Sequence, residues 1–79
     1  MKELDIEYQY QLYLSKVGLD ELKMSYIQRL ETKRAFYGAC GQMLLLFRDN
    51  IGTIEDEYTA VTQMEKLFSQ VQKFWKEQI

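Results

Sequence analysis

The sequence predicts an all-α fold: a short N-terminal helix, then a long antiparallel helical hairpin, assembled as a helical homo-oligomer. Three observations predict it. No proline occurs among the 79 residues, so no periodic run is broken from within. Helix stop and start signals fall at Gly18, at Ser25 and across Asn50–Thr53. Finally, Ile54, Tyr58, Val61, Met64, Phe68, Val71 and Trp75 are spaced 4, 3, 3, 4, 3 and 4 apart, the signature of one apolar helix face.

From Lys2 to Val17 two periods compete. Ile6, Tyr8, Tyr10, Leu12 and Leu14 alternate as in a strand, whereas Ile6, Tyr10, Tyr13, Leu14 and Val17 share one side of a helix. Glu, Gln and Leu fill the remaining positions and favour helix. Gly18 stands where a C-terminal cap belongs. The predicted element covers about 3–17. Asp and Glu interrupt it, so it reads as neither a signal peptide nor a membrane span, and a cytoplasmic location is expected.

Leu19–Met24 is a connector, with a helical turn begun at Asp20. Ser25 and Gln28 form the capping-box pattern Ser-x-x-Gln and open a long helix over about 25–50. Asn50-Ile51-Gly52-Thr53 ends it, with Gly52 supplying a left-handed backbone and Thr53 the next N-cap. The third helix covers about 54–78. Glu55, Asp56 and Glu57 in its first turn, and Lys73 and Lys76 near its end, complement the helix dipole. Leu67 and Phe74 widen its apolar stripe. The whole chain reads as a single helical domain.

Composition excludes more than it selects. Apolar residues make up 47% and charged residues 28%, the balance of an ordinary folded chain. The complete absence of histidine removes the commonest metal ligand and the commonest general base. A single cysteine, Cys40, permits neither an internal disulfide nor a cysteine-rich zinc site. No phosphate-binding loop, dinucleotide fingerprint or catalytic triad is present. The expectation is therefore a protein that is not an enzyme and uses no metal or cofactor. Ten basic against twelve acidic residues leave a net charge of −2, which disfavours nucleic acid as a partner.

Size then points to assembly. A core of this length rarely supplies more than about 3–5 kcal/mol. Six Tyr, four Phe and one Trp are the kind of residue that builds apolar contact between copies. The long helix adds a second argument. Ala35, Phe36, Tyr37, Ala39, Cys40, Met43, Leu44, Leu45, Leu46 and Phe47 make it apolar nearly all round. This apolar segment, Ala35 to Phe47, is too short to span a bilayer and needs cover on every side.

Gly38 and Gly41 lie inside that segment. Each interior glycine costs a helix about 0.8–1 kcal/mol relative to alanine, so the pair asks for a reason. A tight helix crossing, a ligand pressed on a glycine floor and a local kink all supply one. Upstream, the run Gln28-Arg29-Leu30-Glu31-Thr32-Lys33-Arg34 concentrates charge. It reads either as a solvated helix start or as an anion site. Arg29, Lys33 and Phe36/Tyr37 share one side, and Arg34, Gly38, Gly41 and Arg48 share another. Arginine offers a fork for phosphate and an aromatic ring a stacking face for a base. The candidate ligand-binding residues are Arg29, Lys33, Arg34, Tyr37, Gly38, Gly41, Gln42 and Arg48.

The stretch Gln28-Arg29-Leu30-Glu31-Thr32-Lys33-Arg34-Ala35-Phe36-Tyr37-Gly38-Ala39-Cys40-Gly41-Gln42-Met43 resembles the core of small helical proteins carried by bacteriophages and prophages. The resemblance continues to Asp49 and weakly into Phe74-Trp75. In organisation the chain is also similar to phage sponge proteins, which sequester nucleotide immune signals of CBASS or Thoeris defence. That likeness implies a non-enzymatic sponge for a cyclic oligonucleotide or a cyclic ADP-ribose type of signal, acting in the host bacterial cytoplasm. The alternative is a small phage adaptor or inhibitor acting by protein–protein contact.

Overall fold

The computed structural model describes residues 1–78, and these are helical apart from short connectors, with no strand among them. The elements run in chain order as a single turn of 3₁₀ helix at Lys2–Leu4, α1 (Ile6–Val17), a second 3₁₀ turn at Glu21–Lys23 and α2 (Tyr26–Leu46). A π-helical turn at Phe47–Ile51 and α3 (Glu57–Glu77) complete them. Two compact units divide the chain, one of residues Met1–Gln42 and one beginning at Met43.

In the first unit, α1 settles the competition between strand and helix periods in favour of helix. It starts later than residue 3 because Asp5 caps it, its carboxylate accepting from the Tyr8 amide at 3.0 Å. It ends as expected at Gly18, which adopts the left-handed conformation at φ 73°. There the Leu19 amide reaches back to the Leu14 carbonyl at 2.9 Å, closing the end in the Schellman manner. Asp20 caps the following turn through the Leu22 amide at 3.0 Å. Ser25 then starts α2 by accepting from the Gln28 amide at 3.1 Å. The buried residues here are Tyr10, Leu14 and Met24, with Tyr13 and Phe36 packed against them. Thus α1, the connector and α2 each give a side chain to one small core.

In the second unit two local expectations are corrected. Gly52 is not left-handed: its φ is −65° and its ψ −16°. Five-residue winding at Phe47–Ile51 brings the Gly52 amide onto the Phe47 carbonyl at 2.6 Å. Glycine is required for space instead of backbone handedness. A Cβ there would stand 2.9 Å from the Phe47 carbonyl oxygen and 3.0 Å from that of Arg48. Nor does Thr53 cap the next helix; its hydroxyl donates back to the Asn50 carbonyl at 2.9 Å. Asp56 is the cap, accepting from the Thr59 amide at 3.1 Å, so α3 begins at Glu57. Of the three acidic residues expected in its first turn, only Glu57 lies inside the helix. The carboxylate of Asp56 is held below its usual range by the Thr59 hydroxyl and by backbone amides.

The apolar stripe of α3 forms as the spacing predicts, and it lies open. Tyr58, Val61, Met64, Phe68, Val71, Phe74 and Trp75 are each between 45% and 79% exposed. Leu67 and Ala60 are half-buried, as are Leu46, Ile51 and Ile54. Leu46, Ile51, Ile54 and Leu67 line one shared depression. No helix among the described residues is long and apolar enough to cross a membrane.

Candidate functional site

Aromatic packing builds the site from the inside out. Phe36 of α2 lies between two rings of α1, with centroids 5.2 Å from Tyr10 and 5.3 Å from Tyr13. Tyr37 meets the edge of Tyr10 at 6.2 Å. The helix spacing that places Phe36 on α1 also brings Lys33, one turn earlier, over the same rings. Its ammonium lies 5.6 Å from the Tyr10 centroid and 5.7 Å from that of Tyr37, within the range of cation–π attraction. Tyr10 is fully buried, and its hydroxyl has no hydrogen-bond partner. Burial pushes its ionisation up.

A carboxylate that the sequence reading missed organises this cluster. Glu7 of α1 accepts from the Tyr37 hydroxyl at 2.8 Å and pairs with the Lys33 ammonium at 3.0 Å. Gln11 joins the same group, donating to Glu7 at 3.2 Å and to Glu21 at 3.0 Å. The Tyr37 hydroxyl first, then Lys33 and Gln11, hold the Glu7 carboxyl below its ordinary range. The same contacts with Glu7 raise the ionisation of Tyr37 and of Lys33. No spacing rule connects Glu7 to Lys33, since they lie on different helices and meet only through tertiary packing.

The structure therefore sorts the predicted site residues. Lys33, Arg34 and Tyr37 come together with Leu30 around a shallow cleft of 260 Å³. In it, Lys33 and Tyr37 are already engaged by Glu7. Arg34 is exposed, with only a long contact of 3.6 Å to Glu31, and Arg29 is exposed on the preceding turn. Gly38 and Gly41 leave a bare helix surface: a Cβ at either position would meet nothing within 4 Å. Gln42 is exposed at the end of the first unit. Arg48 belongs to the second unit, where its guanidinium grips Asp49 through bonds of 2.6 and 3.0 Å.

Two further hollows were not legible in the sequence. In the first unit, Tyr13, Leu19, Ala35, Phe36 and Ala39, with Glu31 and Thr32, line a groove of 590 Å³. The small side chains of Ala35 and Ala39 open it, four residues apart on α2. In the second unit, Met43 and Phe47 face Val61, Met64, Phe68 and Val71 across a groove of 640 Å³. Its walls are apolar apart from Glu65 and Ser69. Cys40 is half-buried, not enclosed. Comparison with protein-family models, with curated proteins and with solved structures finds no match to this chain.

Proposed function

We propose that this chain is a non-enzymatic sponge, encoded by a phage, that assembles as a homo-oligomer. In this reading it sequesters a nucleotide immune signal of the cyclic oligonucleotide or cyclic ADP-ribose type. One observation carries the reading: the side chains of Lys33 and Arg34 and the ring of Tyr37 line one cleft with Leu30, next to the bare glycine surface of the same helix. Arg29 and Arg34, both exposed and Arg34 held only by its long contact to Glu31, are the cations for a phosphate, and Tyr37 is the ring for a base. Gly38 and Gly41 let a ligand approach the backbone, and Gln42 adds an amide beside them. Bound phosphate would compete with Glu7 for Lys33.

The exposed α3 stripe and the bare glycine surface support assembly, since other copies are the simplest cover for so much apolar surface. The test is a thermal-shift series with cyclic dinucleotides, cyclic trinucleotides and cyclic ADP-ribose isomers. A ligand at a hundred times its Kd stabilises by about 2.7 kcal/mol, which raises Tm by many degrees in a domain this size. Arg34→Ala weakens binding by about 1.5–3 kcal/mol if a charged contact is lost. Flat melting curves across the whole panel refute the sponge.

A second reading, an adaptor or inhibitor acting on another protein, is favoured by the apolar groove of the second unit. It differs in its readout: binding would survive Arg34→Ala and fail on Phe68→Glu.

A further inference from the structure

The proposal of a homo-oligomer leaves open which surface joins the copies, and α3 supplies an answer. Within its stripe, Val61, Met64, Phe68, Val71 and Trp75 follow one another at intervals of 3, 4, 3 and 4. This is the a/d repeat of a coiled-coil seam, flanked on one side by Leu67 and Phe74. Yet in its own chain α3 has no buried residue.

We infer that α3 is a self-pairing helix: it docks antiparallel on α3 of a second copy of this chain, about a two-fold axis near Lys66. An axis there sets Val61 opposite Val71 and Met64 opposite Phe68 of the other copy. The seam is thus self-complementary, as an isologous contact requires. Charge selects the direction. Glu55, Asp56 and Glu57 gather at the start of the helix, and Lys73 and Lys76 near its end. Antiparallel pairing brings Glu57 beside Trp75 and Lys76 of the other copy, and it also opposes the two helix dipoles. Parallel pairing would instead set the acidic start of each helix, Glu57 and the Asp56 cap, beside that of the other.

The size of the surface agrees. The five seam side chains at about 100 Å² each expose about 500 Å², and Tyr58 and Phe74 beside them bring the face to about 700 Å², close to the ~800 Å² that each partner brings to a standard interface. Met43 and Phe47 extend this surface along the adjoining groove. Glu65 is the charged side chain among the groove-lining residues. In this register it meets its own copy beside the axis, so the pairing is selected despite one like-charge contact, and Glu65→Gln tightens it.

Cross-linking in a Cys40→Ser background tests the proposal on the full chain. Mixed Val61→Cys and Val71→Cys proteins should join to each other through a short bis-maleimide, while either alone stays largely unlinked. Self-linking of Val71→Cys alone would overturn the antiparallel register. Sedimentation of the wild type should show dimers or multiples of dimers at micromolar concentration. Phe68→Glu should raise the dissociation constant by at least about a hundredfold, and Glu65→Gln should lower it. A wild-type monomer, or no cross-link in any pairing, overturns the inference even if Phe68→Glu simply unfolds. Nucleotide binding is read separately by thermal shift, so failure of the α3 pair and failure of the sponge are distinguishable.

Discussion

Glu7 shows how a single residue changes the meaning of its neighbours. As sequence, Lys33 and Tyr37 are a cation and a ring at helical spacing, free to meet a ligand. In the fold both are turned on the Glu7 carboxylate, at 3.0 and 2.8 Å. These contacts depress the Glu7 ionisation, which fixes the sign of its pH dependence. A carboxyl with a lowered folded-state pKa adds stability that is complete above the ordinary carboxylate range. That contribution is lost as pH falls through the depressed value. The packing of α1 on α2 should therefore weaken progressively as pH falls from the ordinary glutamate range down through that depressed value. Glu7→Gln should remove that acid dependence. Both partners are nearly half exposed, so solvent screening limits the loss of stability at neutral pH to under about 1 kcal/mol. Urea unfolding from pH 7 to pH 3, wild type against variant, measures it. Under the sponge reading the same variant binds an anionic nucleotide more tightly, because it frees Lys33 from its internal counter-charge.

At the scale of elements, the four glycines play three different parts. Gly18 is needed for its left-handed backbone. Gly52 is needed because the π-helical turn folds the carbonyls of Phe47 and Arg48 onto it. Gly52→Ala forces that turn to open and should destabilise the second unit by about 1–3 kcal/mol, the usual range for an overpacked site. Circular dichroism melts of the purified variant check this. At Gly38 and Gly41 no such demand appears among the described residues, since a Cβ at either would meet nothing within 4 Å. Helix propensity alone then predicts that Gly38→Ala and Gly41→Ala each stabilise α2 by about 0.8–1 kcal/mol. If the bare surface receives a ligand or another copy, the same substitutions should weaken that association while raising the Tm of the isolated chain. Thermal melts at low concentration, set beside binding or sedimentation data, separate the two effects. A gain in stability with unchanged association would mean that the glycine pair serves no contact.

For the molecule as a whole, the governing fact is the mismatch between apolar content and burial. Nearly half the residues are apolar, yet the buried hydrophobic residues are Tyr10, Leu14 and Met24. Leu44, Leu45, Met43 and the α3 stripe remain 42–64% exposed apart from the more open Tyr58. A chain that gains cover from its own copies has a stability tied to protomer concentration. Its Tm should rise as concentration is raised from the low to the high micromolar range, and calorimetry over such a series measures the slope. A Tm independent of concentration would mean that the exposed stripe is not covered by self-association.

How much was legible follows from the range of the forces involved. Helix type, the Gly18 cap, the Ser25 start and the α3 stripe depend on residues within a few positions of each other, and the sequence alone determined them. The pairing of Lys33 with Tyr37 was readable for the same reason, because one helix places them; the spacing set Arg34 on another side, and only the structure brings it and Leu30 to the same cleft. What tertiary structure decided lies beyond that range. Asp56 displaced Thr53 as the cap of α3 because the π-helical turn carried the chain further before a helix could restart. Glu7 joined Lys33 and Tyr37 because the packing of Tyr10, Tyr13 and Phe36 drew α1 onto α2, and no local spacing encodes that meeting. Periodicity marks which face of α3 is apolar; only the three-dimensional arrangement revealed that the chain leaves this face open.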